Sequence, residues 1–273
     1  MKRHTMAEAK KHKWGNIATP FRLCGNIYFV GTVPASTHII DTGDGIILID
    51  SGYFETLYGV IDNIYKLGFD PHDIKYILHS HGHIDHSGAT RALAELTGAK
   101  TIVGKDDCGM VTGENDLVAA KDLGMDFQTF TPDIVMEDGY ILELGNTKIE
   151  CVSTPGHTPG TFSFFWETQT PSGTLTSAMM GGLGLNTLRT PYIKKYNLEA
   201  ENWREAYIKS IAYCKTRTVH INVGNHCSQN DTIGRGNRVL NGESDAFIDP
   251  QSWISMLNNF EEKFKQLIES DPL

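Results

Sequence analysis

Apolar positions along the chain switch between a period of two and a period near 3.6, and the switches mark its elements. Ile27-Tyr28-Phe29-Val30 predicts a strand. His38-Ile39-Ile40 and Ile46-Ile47-Leu48-Ile49 flank Thr42-Gly43-Asp44-Gly45, the pattern of a hairpin. Leu57, Val60, Ile61, Ile64 and Leu67 then share one helical face, and Gly68 stops it. Tyr76-Ile77-Leu78 predicts a short buried strand. Ser87 can cap a helix carrying Ala89, Leu93 and Leu96, closed by Gly98, and Thr101-Ile102-Val103 predicts a further strand.

The stretch from Lys105 to Asp138 is polar and weakly periodic, which suits a functional loop or a short helical insertion. Strand patterns resume at Tyr140-Ile141-Leu142, Thr147 to Val152, Thr161 to Trp166 and Thr174 to Ser177. Trp203, Tyr207, Ile211 and Cys214 share a helix face, Thr218 to Val223 reads as a strand, and Trp253, Leu257, Phe260, Phe264 and Leu267 form a final helical stripe. Strands followed by helices, twice over, predict an α/β (α+β) chain of two packed sheets with helices outside. The expected division is an N-terminal tail over 1–18 and one domain over 19–273.

Composition narrows the class. Apolar residues make up 40% and charged residues 21% of 273, which excludes a disordered chain. A net charge of −9 argues against a nucleic-acid partner, because phosphates are met by clustered Lys and Arg. The N-terminus is basic, but no apolar core of about 7–15 residues follows it, so a secretory signal is not expected. No apolar run of about 18 residues predicts a membrane span. Five scattered cysteines without a CxxC pair suit reduced thiols and a cytoplasmic location. Cys151 and Cys214 are expected in the core, and Cys227 beside His226 in packing.

Eleven histidines are the chemical clue, since neutral imidazole is a common metal ligand. His81-Gly82-His83-Ile84-Asp85-His86 puts four potential ligands just after a strand, and Gly82 would let the backbone turn sharply. That is more than one ion normally takes from so short a segment, so two ions sharing the loop is the natural reading. Thr154-Pro155-Gly156-His157-Thr158-Pro159-Gly160 holds one more histidine in a turn, and Gly224-Asn225-His226 puts another after a strand. His79 is expected as a neighbour of the site, His220 in the core, and His38 at most on its border.

On the HxHxDH motif and the order of these loops, the chain resembles the metallo-β-lactamase superfamily over nearly its whole length. The resemblance implies a four-layer αβ/βα sandwich with the metals at one rim. It implies a first zinc on His81, His83 and His157 and a second on Asp85, His86 and His226. Iron or manganese can occupy the same donors. Asp50, in Asp50-Ser51-Gly52, would support the metal loop by accepting an imidazole N–H.

Many hydrolases of the superfamily carry a bridging aspartate between the third and last histidines. Here the segment reads Ser177-Ala178-Met179-Met180-Gly181-Gly182-Leu183-Gly184-Leu185-Asn186, with no aspartate. Gly182 also excludes the cysteine ligand of the first β-lactamase subclass. The pattern with His86 resembles the third subclass of class B enzymes, and the stretches Pro20–Gly31 and Phe247–Pro250 look like its ends. It departs from that subclass at Gly182 and Gly184, where serines usually stand; the glycines would remove hydroxyl donors and widen the pocket floor.

The resemblance implies a zinc hydrolase cleaving a cyclic amide, β-lactam-like, or a related acyl bond by a hydroxide between the metals. Asp85 would orient that nucleophile and shuttle its proton. A lactone or thioester hydrolase, or a phosphodiesterase on a small metabolite, is the alternative. The expected partner is a small-molecule substrate, with no nucleic acid and no membrane; oligomeric state stays open. Leu183 to Tyr196 and Lys105 to Asp138 would frame the substrate. Asn186 and Arg189 are its candidate contacts, with Lys194 and Lys195 as further local cations.

Overall fold

The computed structural model describes residues 16–198 and 202–272. Among the described residues, twelve strands form two sheets. The first runs in chain order: β1 (Phe21–Cys24), β2 (Ile27–Phe29), β3 (His38–Asp41), β4 (Ile46–Ile49), β5 (Ile74–Leu78), β6 (Lys100–Gly104) and β7 (Ile134–Met136). Its first four strands pair antiparallel, and β4 to β7 pair parallel. The second is β8 (Tyr140–Leu144), β9 (Thr147–Ser153), β10 (Phe162–Thr170), β11 (Gly173–Met179) and β12 (Ile221–Asn222), with only β12 parallel to its neighbour β11.

The period of two explains the layering. In the first sheet Ile40, Ile47, Ile49, Leu78 and Ile102 face the second sheet and meet Phe164, Trp166, Met179 and Ile149. Their neighbours Ile39, Ile46, Leu48 and Ile77 face outward and are covered by Val60 and Ile64 of α1 (Leu57–Lys66) and Leu93 of α3 (Thr90–Thr97). In the second sheet Phe165 and Ala178 face outward, against α6 (Trp203–Lys215) and α8 (Pro250–Ser270). Each sheet is apolar on both faces, so each needs a helical layer. The four-layer αβ/βα sandwich is thus the observed architecture.

Several expectations shift. Ser87 does not cap α3. It ends the one-turn helix α2 (Ile84–Ser87), and its hydroxyl donates to the carbonyls of Gly82 and His83; α3 starts at Thr90 instead. Gly98 does close α3, at φ 74°, while Leu96 points to solvent. The strand expected over Thr218–Val223 contracts to β12, flanked by single backbone bonds from His220 to Thr176 and from Val223 to Ala178. The stretch from Lys105 to Asp138 holds the short helix α4 (Cys108–Thr112) and strand β7, and its Met110, Val118 and Ala120 pack on Ile84.

Two further helices are α5 (Thr190–Lys195) and α7 (Thr232–Leu240). Glycine is what lets α7 approach β1, since a Cβ at Gly236 would stand 2.3 Å from the Phe21 ring. Ile17, in the last part of the expected tail, pairs with Thr32 and its side chain covers Gly59. Residues 1–15 of that tail lie outside the described residues. All five cysteines are free, with Cys151 and Cys214 fully buried and Cys227 within reach of Ser36 and the Thr32 carbonyl. No described helix is long and apolar enough to cross a membrane.

Phe164 is fully buried between the sheets. Phe164→Ala should lower unfolding free energy by about 3–5 kcal/mol. Ile141→Ala, at a half-exposed site on the same sheet, should cost under about 1 kcal/mol. Urea denaturation of the two variants checks the contrast.

Candidate metal centre

The strand topology gathers the candidate ligands. Asp50 follows β4, the His81–His86 loop follows β5, the His157 turn follows β9, the glycine segment follows β11, and His226 follows β12. These strand ends open on one rim of the sandwich. The helix α2 then carries Asp85 and His86 in a single turn, with His83 as its extended N-cap.

One donor atom from each of His81, His83 and His157 lies within a 4.8 Å cluster, and so does one from each of His81, Asp85 and His86. His226 completes the second set: its Nε2 is 3.1 Å from His86 Nε2 and 3.7 Å from an Asp85 oxygen, which is itself 3.5 Å from His86 Nε2. His83 Nδ1 and His157 Nε2 are 3.0 Å apart. All six residues expected as metal ligands are therefore brought together. The His81 and His86 rings, 4.1 Å apart, join the two groups.

The outer hydrogen bonds fix which nitrogen each ring presents. Asp50 sits at φ 57°, a left-handed conformation that a buried aspartate adopts only when its surroundings hold it. Its Oδ1 accepts the Ser80 N–H, and its Oδ2 accepts the Ser80 hydroxyl and His86 Nδ1–H, each at 2.7 Å. Ser80, having donated to Asp50, is left to accept from His81 Nδ1–H at 3.1 Å. His157 Nδ1–H donates to the Gly184 carbonyl at 2.8 Å, and His226 Nδ1–H donates to the Pro34 carbonyl. Four imidazoles thus turn Nε2 inward, and on the neutral rings that nitrogen is bare. The Nε2 atoms of His81 and His83 are buried without a partner.

Lone pairs facing each other at such distances repel unless a cation or a proton stands between them. Nitrogen donors on one zinc are themselves about 3.3 Å apart, from bonds of about 2.0–2.1 Å in tetrahedral geometry. The donor set therefore fits metal ions on these six residues. Burial also keeps the imidazoles neutral. It lowers His83 to about 4, and burial with the neighbouring histidines takes His81 and His157 well below the ordinary value. His86 is the exception: burial works against its proton, but Asp85 and Asp50 raise it to about 10. Burial opposes the charge of Asp85, yet His86, His226 and His83 hold it well below the carboxylate range.

The glycines act differently from expectation. Gly82 is not left-handed; a side chain there would press on Met110, with its Cβ at 3.2 Å. Gly182 and Gly184 do not widen a floor. A Cβ at Gly182 would stand 2.6 Å from the His157 Cβ, and one at Gly184 would stand 2.8 Å from the His157 ring. The His157 side chain occupies the space that a serine would need.

The expected substrate contacts divide. Asn186 is exposed, with its side-chain oxygen close to Gly184 beside the His157 loop. Arg189 is exposed, and Asp271 near the end of α8 is bonded to the Thr190 N–H and to Arg204 rather than to it. Lys195 is paired with Asp122, which also accepts the Tyr196 hydroxyl at 3.0 Å, so the two framing segments are tied to each other. His79 is a buried neighbour bonded to the Ile102 carbonyl and the Thr90 hydroxyl; His38 contacts the Gly224 carbonyl, and His220 accepts from the Thr176 N–H.

Sequence reasoning missed Asp107 and Tyr53. Asp107 is fully buried between the motif loop and the His157 loop. Burial, Asp85 and Glu55 together push the Tyr53 hydroxyl above its usual range, which places this ring in the field of Asp85. The signal for Asp107 was the acidic pair Asp106-Asp107 near the start of the polar stretch after β6; Tyr53 lay only three residues past Asp50.

Asp50→Ala should weaken metal binding by about 10–100-fold, the usual effect of losing a partner that orients a ligand. Equilibrium dialysis against zinc measures it. The raised His86 gives a pH dependence with a definite sign. Its proton is held at neutral pH in the metal-free chain and must leave for Nε2 to bind. Apparent affinity should therefore rise with pH through the neutral range, and loading should acidify an unbuffered indicator solution.

Comparison with known proteins agrees with this geometry. A family model described as the metallo-beta-lactamase superfamily matches residues 30–170, just over half of the chain and all the candidate ligands except His226. The native FEZ-1 metallo-beta-lactamase from Legionella gormanii superposes with a TM-score of 0.86 at 28% identity, covering 93% of this chain and 97% of that one. BJP-1, a subclass B3 metallo-beta-lactamase of Bradyrhizobium japonicum, gives 0.86 at 25% identity, covering 95% and 97%. Among curated proteins, the N-acyl homoserine lactonase AttM of Agrobacterium fabrum is 30% identical over 156 residues, 50% of this chain and 57% of that one. A hydroxyacylglutathione hydrolase of Anaeromyxobacter dehalogenans is 32% identical over 93 residues, 34% of this chain and 29% of that one. These matches cover well under two thirds of the curated relatives' lengths. With the sandwich, the motif loop and the family match in agreement, the chain belongs to the metallo-beta-lactamase superfamily.

Proposed function

We propose that this protein is a binuclear zinc hydrolase of the third-subclass β-lactamase type, opening a cyclic amide or a related acyl bond of a small substrate. The observation that carries the reading is the donor set itself: two abutting groups from five histidines and Asp85, with glycines packed on His157 and no aspartate in the segment that carries them. His81, His83 and His157 would hold one ion, and Asp85, His86 and His226 the other. Zinc at such donors supplies a Lewis acid for a carbonyl and lowers the pKa of water toward 7.

The protein's part is orientation. Asp50 and the Gly184 and Pro34 carbonyls hold three rings with Nε2 toward the site, so no ring has to turn before an ion is bound. Asp85 is 20% exposed and His226 31% exposed, whereas His81, His83 and His157 are nearly sealed. Substrate would therefore approach across Asp85 and His226. Asp85, held ionised by its histidine neighbours, is the carboxylate available to accept a hydrogen bond from an attacking water and orient it. Asn186, beside the His157 loop, is a candidate contact for the substrate. Arg189, exposed on the same segment, is the other candidate contact.

A lactone or thioester hydrolase is the second reading, favoured by the names of the sequence relatives. A panel separates the arms: a chromogenic cephalosporin, an acyl homoserine lactone, an acyl-glutathione thioester and a phosphodiester, each offered to protein of measured metal content. The first reading expects two zinc ions per chain and turnover of the cephalosporin. Two zinc ions with turnover confined to the lactone or thioester would transfer the assignment to the second. His83→Ala should cut kcat/KM on the active substrate by more than about 100-fold, beyond what loss of a supporting partner costs.

A further inference from the structure

We infer that Asp107 is a positioning residue for the metal centre, fixing the His157 loop against the His81–His86 loop and so the spacing of the first three-histidine group. The inference rests on the metal-binding reading above. Asp107 follows β6 and stands at the N-cap of α4, yet its side chain makes no bond to that helix. It turns instead between two other loops. Oδ2 accepts the Gly82 N–H and the Thr158 hydroxyl, and Oδ1 accepts the Gly160 N–H, all three at 2.7 Å. Gly82 separates His81 from His83, and Thr158 follows His157. One carboxylate thus grips the residue between two candidate ligands and the residue after the third.

The packing around it leaves no slack. Asp107 is fully buried. A Cβ at Gly160 would stand 2.4 Å from the Asp107 nitrogen, and one at Gly104 would stand 2.3 Å from the Gly160 carbonyl oxygen. The His157 loop therefore lies directly on the backbone that presents the carboxylate. Thr158 is locked in turn, its hydroxyl 2.8 Å from that of Thr161. Burial raises the Asp107 carboxyl to about 6 against the pull of its three donors, so the ionised acceptor form still prevails at pH 7.5 and above. Metal sites tolerate only about 0.2 Å of error in ligand distance, so a loop that drifts loses affinity.

The second group is held by other means. His86 is bonded to Asp50 and His226 to the Pro34 carbonyl, and neither bond involves Asp107. This asymmetry separates a positioning role from a general structural one. A residue that merely stabilised the fold would weaken both groups together.

The test is titration of the metal-free full chain with cobalt(II), read by its visible absorption, with His157→Ala and His226→Ala used to assign the bands to the two groups. Asp107→Asn keeps the volume but sets an amide N–H₂ against N–H or O–H donors. It should lower cobalt affinity at the His81–His83–His157 group by at least about tenfold and leave the other group unchanged. Thr158→Val, which removes one of the three donors, should give a smaller fall at the same group. Folding is checked by circular dichroism. If Asp107→Asn does not fold, Thr158→Val decides on the same criterion. Unchanged affinity, or an equal fall at both groups, in the folded variant would overturn the inference. A wild-type chain that takes up no cobalt would overturn the metal reading together with it, whereas normal wild-type uptake with a silent Asp107→Asn would overturn the positioning role alone.

Discussion

The buried Asp50 carboxylate is the constraint on which the rest of the centre depends. It accepts three hydrogen bonds: from a backbone N–H, from a hydroxyl and from an imidazole. The hydroxyl passes the constraint on, because Ser80 can then only accept from His81. Two candidate ligands, one in each group, therefore have their tautomers set by a single anion. The strained backbone of Asp50 follows from the same demand. Its φ of 57° is left-handed, and its bonds to Ser80 and His86 hold it there. The parallel pairing of β4 with β5 brings Asp50 and the motif loop side by side.

That arrangement needs the sandwich. Apolar residues on both faces of both sheets force a helical layer on each side, and this leaves only the strand ends for polar chemistry. The loops carrying His81, His157 and His226 leave their strands at that shared rim, so ligands distant in sequence meet without any of them being drawn through the core. The ring of His157, packed on Gly182 and Gly184, shows how little room the rim leaves. Those glycines read in the sequence as missing hydroxyl groups; in the structure they are the clearance that lets a ligand histidine take its place.

The elements with strong period and clear stops were legible: the β3–β4 hairpin, the helix ended by Gly68, α3 closed by Gly98, and the stripe of α8. So were the six candidate ligands, because four sit within six residues and the other two stand at strand ends. What stayed hidden depends on partners that leave no local pattern. Asp107 binds backbone N–H groups 25 and 53 residues away, and any residue type at those positions would have offered the same donors. Asp122 meets Lys195 across 73 residues. Helix α7 contains Gly234 and Gly236, which lower its intrinsic helicity, and only contact with β1 reveals why Gly236 is there. Ser87 looked like a cap because the sequence does not show that the motif itself forms a helical turn.

The wide separation of the ligands has a consequence for the whole molecule. A metal ion held by His81 and His157, or by His86 and His226, would close a covalent-like loop through much of the chain, the second spanning 140 residues. Ions that bound the folded arrangement more tightly than the unfolded chain would each act as a reversible cross-link whose strength follows the free metal concentration. The metal-free protein, by contrast, would keep imidazoles crowded against one another at its rim. Its resistance to heat and to proteases would then report the metal supply of its surroundings, quite apart from any reaction it performs.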